Sequence, residues 1–242
     1  MNLIIDVGNT FVKFAVFSQN ELKDRIVGKS IDFDEMALDV IKTYPSINKA
    51  IVSSVGKLEK SHIDFLRHKI DVLELSHHLK LPFKNLYATP RTLGVDRIAL
   101  VSASVEQFPD KNVLIIDAGT CITYDFVNTN NEYKGGAISP GIRLRYRTLH
   151  NLTANLPLLD TQMPKDIIGN STQNSIHSGV VFGVLKEIDG VINEYVNKYS
   201  GLTVILTGGD TKFLSNQLKN SIFANSNFLL EGLNFILEYN TQ

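Results

Sequence analysis

The chain opens on an apolar run, "LIIDVGNTFVKFAVF" (residues 3–17), broken by Asp6 and by Gly8-Asn9. β-Branched and aromatic residues crowd both sides of the break, which predicts strands over 2–7 and 11–18 about a turn with positive-φ positions at Gly8 and Asn9. A third strand, 22–29, follows "SQNE". Helical spacing over 33–43, a buried strand at 50–55, a helix over 58–69 and a short strand at 71–75 complete a β-β-β-α-β-α-β order. Residues 82–90 read as a loop, and 95–107 as a helix with Asp96 and Arg97 in its first turn.

The pattern then restarts. "VLIIDAGTCITYDFV" (113–127) predicts strands over 112–117 and 121–127, with Asp117 placed as Asp6 is in the first. "EYKGGAISPG" (132–141) is a strand ending in a tight loop, and 142–154 a helix. Beyond a loop-rich stretch, a single long helix is expected over 172–199, with Gly179 and Gly183 permitting close packing. A buried strand (203–209), a helix (211–219), a short strand at "IFANS" and a C-terminal helix follow. The repetition predicts an α/β chain of two domains, residues 1–110 and 111–242, packed across a cleft because no low-complexity linker separates them. A 242-residue chain that is 43% hydrophobic can bury the cores this requires.

Charge narrows the ligand. Lys and Arg total 24 against 25 Asp and Glu, a net charge of -1, which argues against a nucleic-acid or membrane partner and for a small molecule. With no basic leader and no apolar stretch of bilayer length, a cytoplasmic location is expected. The lone Cys121 leaves no internal disulfide framework and no multi-cysteine zinc site. His77-His78 has no third ligand at recognisable spacing, so the histidines are read as structural or surface residues. In "RLRYRTLH" (143–150), Arg143 and Arg147 share a helical face that is either solvated or a subunit contact, and Arg145 adds a third charge.

The duplicated aspartates carry the chemistry. A carboxylate at the C-terminal end of a buried strand sits at a sheet edge, where α/β folds place ligands, and can hold a cation or its water. The Gly8-Asn9-Thr10 turn exposes backbone N–H groups suited to phosphate oxygens, and Lys13 adds a point charge. The alternative is that Asp6 and Asp117 only stabilise hairpin turns. "VILTGGD" (204–210) places Gly208-Gly209 after a buried strand, where an adenine or ribose can approach the backbone, or where the chain merely turns into a helix. Neither a P-loop nor a dinucleotide-binding glycine motif is present.

Taken together, "DVGNTFVK", "DAGTCITYD" and "LTGG" resemble the phosphate-1, phosphate-2 and adenosine elements of the acetate and sugar kinase, Hsp70 and actin superfamily. More narrowly, "GVDR" (94–97), "GGAISPG" (135–141) and "TANLP" (153–157) are similar to type III pantothenate kinase. The resemblance implies two tandem ribonuclease-H-like domains and ATP-dependent phosphorylation of pantothenate, the first step of coenzyme A biosynthesis. It implies that Asp6, Val7, Gly8, Asn9, Thr10, Phe11, Val12 and Lys13 bind ATP, that Asp6 holds Mg²⁺ through water, and that Thr120 contacts ATP. Asp117 would bind a monovalent cation, potassium or ammonium, and Asp96 would accept the substrate proton. Tyr87, Gly94, Val95, Asp96, Arg97 and Thr172 would line the pantothenate pocket, Gly135, Gly136 and Gly141 would shape its wall, and the protein would be a homodimer.

On chemistry alone, phosphoryl transfer to an alcohol needs in-line positioning, charge neutralisation and a proton acceptor, and a helix-start aspartate can be that acceptor. Arg97 offers a planar fork for a carboxylate. The competing reading is that Asp96 and Arg97 are helix-start charge and a surface arginine. Two other functions stand beside the leading one: a kinase for another small alcohol, and a non-catalytic nucleotide-binding regulator, which would not need Asp96.

Overall fold

The structure is a computed structural model, and it describes residues 1–8, 11–56 and 58–241. The chain forms two compact units, one comprising Met1–Asp110, Asn131–Tyr133 and Asn227–Gln242, the other Lys111–Asn130 and Lys134–Ser226.

The first unit contains β1 (Asn2–Val7), β2 (Val12–Ser18), β3 (Glu21–Gly28), α1 (Phe33–Thr43), β4 (Lys49–Ser54), α2 (Lys60–Arg67), β5 (Asp71–Glu74), β6 (Lys84–Asn85) and α3 (Val95–Gln107). Its five-stranded sheet has the order β3-β2-β1-β4-β5. The two hairpin pairings are antiparallel, and β1, β4 and β5 run parallel. β1 is buried on both faces, which explains its unbroken apolar sequence up to Asp6. One face, with Leu3, Ile5 and Val7, packs on Phe33, Ala37 and Val40 of α1 and on Ile63 and Leu66 of α2.

The second unit contains β7 (Val113–Ala118), β8 (Cys121–Val127), β9 (Glu132–Pro140), α4 (Ile142–Asn151), α5 (Thr172–His177), α6 (Gly183–Lys198), β10 (Thr203–Thr207), α7 (Thr211–Ser215) and β11 (Phe223–Ala224). Its strands follow the order β9-β8-β7-β10-β11, the same path as β3-β2-β1-β4-β5. β7 pairs antiparallel with β8 and parallel with β10, so the duplication heard in the two aspartate strands extends to the sheets that carry them. The first two residues of β9, Glu132 and Tyr133, lie in the first unit, where they pair with β6.

The chain ends in α8 (Phe228–Thr241), which belongs to the first unit. It packs along α3 and against β1 and β4, and Gly232 lies directly against the carbonyl of Ala99. Asn2 joins this contact by donating to Asn234 Oδ1 at 2.7 Å and to Glu238 Oε1 at 2.6 Å.

Several expected elements are shorter than their apolar pattern. The segment 82–90 includes β6 as well as loop. The expected helix over 172–199 is interrupted by a π-helical turn, Ser178–Phe182, where the Ser178 hydroxyl holds the Ile167 carbonyl. α7 stops at Ser215 because the Lys219 and Asn220 amides donate to Asp189 of α6, at 3.1 and 3.3 Å, instead of to their own helix. α4 stops at Asn151, short of Pro157, with the Thr153 hydroxyl taking the Leu149 carbonyl at 2.6 Å.

Candidate active site

Asp6 is the penultimate residue of β1, in register with Lys13 on β2 and Ser53 on β4. Only 5% exposed, it accepts a hydrogen bond from Lys13 Nζ at 3.2 Å. Burial pushes its carboxyl above the ordinary aspartate range, Lys13 pulls it back, and the negative charge of Asp96 pushes it up again. Asp6 and Asp96 therefore share one electrostatic field. The turn after β1 is closed by the Gly8 amide donating to the Phe11 carbonyl at 3.0 Å, and Phe11 is half exposed. Asn9 and Thr10, both expected to bind ATP, lie outside the described residues.

Sequence reasoning passed over Gly56. The amides of Val55 and Gly56 donate to the Val7 carbonyl at 3.1 and 3.2 Å, and a Cβ on Gly56 would sit 2.5 Å from the Gly8 carbonyl oxygen. No larger residue lets the end of β4 pack so closely on the turn after β1. A glycine directly after a buried strand, in "SSVG", was the available signal.

Gly94 is the N-cap of α3, with φ −57° and ψ 136°, and Val95 opens the helix. Asp96 in the first turn accepts from the Arg97 amide at 2.8 Å. A Cβ on Gly94 would collide with Asp96 Oδ1, so the glycine makes room for the carboxylate. Arg97 is buried and is no surface arginine: its guanidinium carbon stands 5.6 Å from the ring centre of Tyr87 and 6.0 Å from that of Tyr133. Tyr87 thus stands beside Arg97, while Tyr133 was not anticipated because it precedes the recognisable glycines of its strand.

In the second unit three turns meet at Asp117, which pairs in register with Thr123 and Thr207. Gly208, at φ +96°, has no room for a Cβ, which would strike Asp117 Oδ1 and the Ala118 carbonyl. The Asp210 amide donates to that same Ala118 carbonyl at 2.9 Å. Gly141 donates to the Thr120 carbonyl at 3.0 Å and packs against the carbonyl of Gly119. Asp210 is raised by burial and lowered in part by the charge of Arg143. The parallel strands β7 and β10 both end here, the side of an α/β sheet where ligands collect.

Arg145 is not part of the solvated face with Arg143 and Arg147, which are both exposed. It donates to the Pro140 carbonyl at 2.8 Å, to Ser139 Oγ at 3.1 Å and to Glu187. Burial alone would raise Glu187, but hydrogen bonds from Arg145, Ser139 and Tyr124 outweigh it and hold the carboxyl below its ordinary value. This cluster ties the end of β9 to α6 and fixes the approach to Gly141. Thr172 is exposed at the start of α5, which is capped by Ser171 accepting from the Asn174 amide at 3.2 Å. Cys121 is exposed at the start of β8.

Among the described residues no group of three His, Cys, Asp or Glu side chains is placed to hold a metal, and no helix is long and apolar enough to cross a membrane. Oxygen donors of another kind are present: Asp6 with Asp96 nearby in the first unit, and in the second Asp117 with the Ala118 carbonyl, packed against Gly208.

Residues 2–194 match the sequence family described as type III pantothenate kinase. A protein of Christiangramia forsetii that carries this name is 54% identical over 240 residues, 99% of each chain. Among solved structures, a Baf-family protein from Campylobacter jejuni superposes with a TM-score of 0.66 over 98% of each chain at 23% identity. A glucokinase from an Antarctic psychrotroph gives 0.53 over 98% of each chain at 11% identity, a likeness of fold alone. With the duplicated sheet order, these likenesses make the fold two tandem ribonuclease-H-like domains. The chain belongs to the type III pantothenate kinase family.

Proposed function

We propose that this chain transfers the γ-phosphoryl group of ATP to the primary alcohol of pantothenate, the first step of coenzyme A biosynthesis. The observation that carries the assignment of roles is the grouping of Asp6, Lys13, Asp96 and Arg97 in one unit, with Asp96 close enough to raise Asp6 electrostatically. A regulator that only bound nucleotide would have no use for a second carboxylate beside the first.

Asp96 is the proton acceptor for the substrate alcohol, held at the start of α3 by its own bond to the Arg97 amide and given space by Gly94. Arg97 takes the substrate carboxylate, with Tyr87, Gly94 and Val95 beside it in the first unit, and Thr172 is proposed as a further pantothenate contact. Val7, Gly8, Phe11, Val12 and Lys13 serve ATP, the Lys13 ammonium meeting a phosphate oxygen, and Thr120 is proposed as a further ATP contact. Two carboxylates in one field fit a divalent cation, and Asp6 would hold Mg²⁺ through water. When bound, that ion neutralises charge on the phosphate oxygens.

Asp117 and the Ala118 carbonyl suit a monovalent cation, potassium or ammonium, because they are two oxygen donors brought close together against Gly208. The proposal includes a cytoplasmic homodimer, supported by the exposed apolar side chains of Leu152, Leu158, Ile167 and Ile168 on the stretch after α4. The boundary between residues 110 and 111 is proposed as the point where the duplicated topology restarts.

The test is ADP release from ATP with pantothenate present or absent, with and without potassium. Pantothenate-dependent turnover is expected. Release independent of pantothenate, with another small alcohol accepted instead, would move the chain to a different substrate.

A further inference from the structure

Tyr133 has no role in the function described above, yet its surroundings are specific. It is fully buried, at 0% exposure, on the first turnless stretch of β9. Its ring lies 6.0 Å from that of Tyr87 at an interplanar angle of 25°, and Phe83 meets it edge-on at 6.1 Å and 74°. The backbone is fastened too: the Leu86 amide donates to the Tyr133 carbonyl at 3.0 Å, and Lys84 Nζ reaches Glu132 Oε1 at 3.2 Å. Tyr87 is set by its own amide donating to Asn85 Oδ1 at 2.9 Å. Two near-parallel rings, both fastened to β6, thus stand side by side against the guanidinium of Arg97.

We infer that Tyr133 is a positioning residue that fixes the plane of the Arg97 guanidinium, so that its N–H edge is presented to a carboxylate of the substrate. A ring face attracts a cation through its quadrupole, most strongly where water is excluded, and Arg97 is only 4% exposed. A guanidinium donates hydrogen bonds only in its plane. With two buried rings set against it, the guanidinium is held in one orientation, and its in-plane N–H edge suits a planar two-oxygen partner over a point acceptor. Tyr133 acts through Arg97 and touches no reacting atom.

This inference rests on the assignment of Arg97 to the substrate carboxylate, and the two fail differently. The measurement is the dissociation constant, by calorimetry, of pantothenate and of the same molecule with its carboxylate replaced by a neutral primary amide. The parent is expected to prefer the acid, and Tyr133→Leu to lose about tenfold of that preference while ATP affinity is kept, the size expected for a desolvated cation–π contact. Tyr133→Phe, which retains the ring face, is expected to keep the preference.

Should Tyr133→Leu fail to fold, Tyr133→pentafluorophenylalanine preserves the shape and reverses the polarity of the face, and is expected to lose the preference as well. An unchanged acid-to-amide ratio in both of these variants, with Arg97→Lys lowering it, overturns the role of Tyr133 alone. An unchanged ratio in Arg97→Lys overturns the carboxylate assignment and the inference with it.

Discussion

The close approach of Gly94 to Asp96 allows the carboxylate proposed as proton acceptor to be moved without touching it. Gly94 has an ordinary negative φ of −57°, so alanine is accepted by the backbone there, and replacing an N-cap glycine should cost the fold about 1 kcal/mol or less. The added Cβ falls well inside contact distance of Asp96 Oδ1. The carboxylate must retreat by about 1 Å, and a misplacement of that size costs about 100-fold in rate, or about 2.7 kcal/mol of barrier. Asp96→Asn keeps the acceptor for the Arg97 amide but loses the base, and should cost about 10²- to 10⁴-fold. In the Asp96→Asn background, Gly94→Ala then has nothing left to displace, so the double variant should be no slower than Asp96→Asn by more than about twofold, a coupling of about 2.7 kcal/mol. Initial rates of ADP release at saturating ATP and pantothenate, with thermal melts alongside, give all four corners of the cycle. Additive losses would show that Gly94 acts by another route, and an undiminished rate in Asp96→Asn would remove Asp96 from the chemistry.

Asp6, raised by burial, binds a proton more tightly folded than unfolded, so its ionisation opposes folding: its favourable contribution is complete below the ordinary aspartate pKa of about 3.9 and lost as pH rises through the folded value. Asp6→Asn should therefore melt higher than the parent at neutral pH, with the gap closing toward pH 3, while losing Mg²⁺-dependent turnover; a lower melting temperature at pH 7 would refute the sign. Gly208→Ala should lose about 1–3 kcal/mol, measured by urea titration, because φ +96° suits glycine, and should raise the KM for ATP by moving Asp117; full stability would contradict the backbone argument. Asp117→Asn should abolish activation by potassium relative to sodium, read from initial rates at saturating Mg²⁺; equal rates of the parent enzyme in potassium, sodium and an organic cation would reduce Asp117 to a structural copy of Asp6.

The strands and most helices were legible because their signals are local: alternation and β-branching for β1 and β2, a 3.6-residue period for α1 and α3. The same locality placed Asp6 at a strand end and Asp96 in a first turn. What escaped was decided at long range. The Asp189 carboxylate ends α7 from 30 residues away, Arg145 departs from its neighbours because Glu187 lies within reach, and Tyr133 matters only once β6 pairs with β9. An amphipathic C-terminal helix does not name its partner, and nothing local in "FLLEGLNFILEYNT" points to α3; the close fit of Gly232 on Ala99 does.

That last contact sets an order of events during synthesis. β1 and α3, which carry Asp6 and Asp96, leave the ribosome early, yet the surface that seats them is supplied by residues 228–241. Until α8 has been translated, the face of α3 that packs on it has no cover and Asn2 has no Asn234 to bond. A nascent chain can build the hairpin of β1 and β2 from local contacts, but the closure between its first and last segments is a high-contact-order step that comes late. The two carboxylates are thus brought to their final spacing only after Gly208 and Gly209 have already been made. A ribosome that stalls before α8 releases a chain with the β1–β2 hairpin made but α3 unseated, exposed to proteolysis along the bare face of α3.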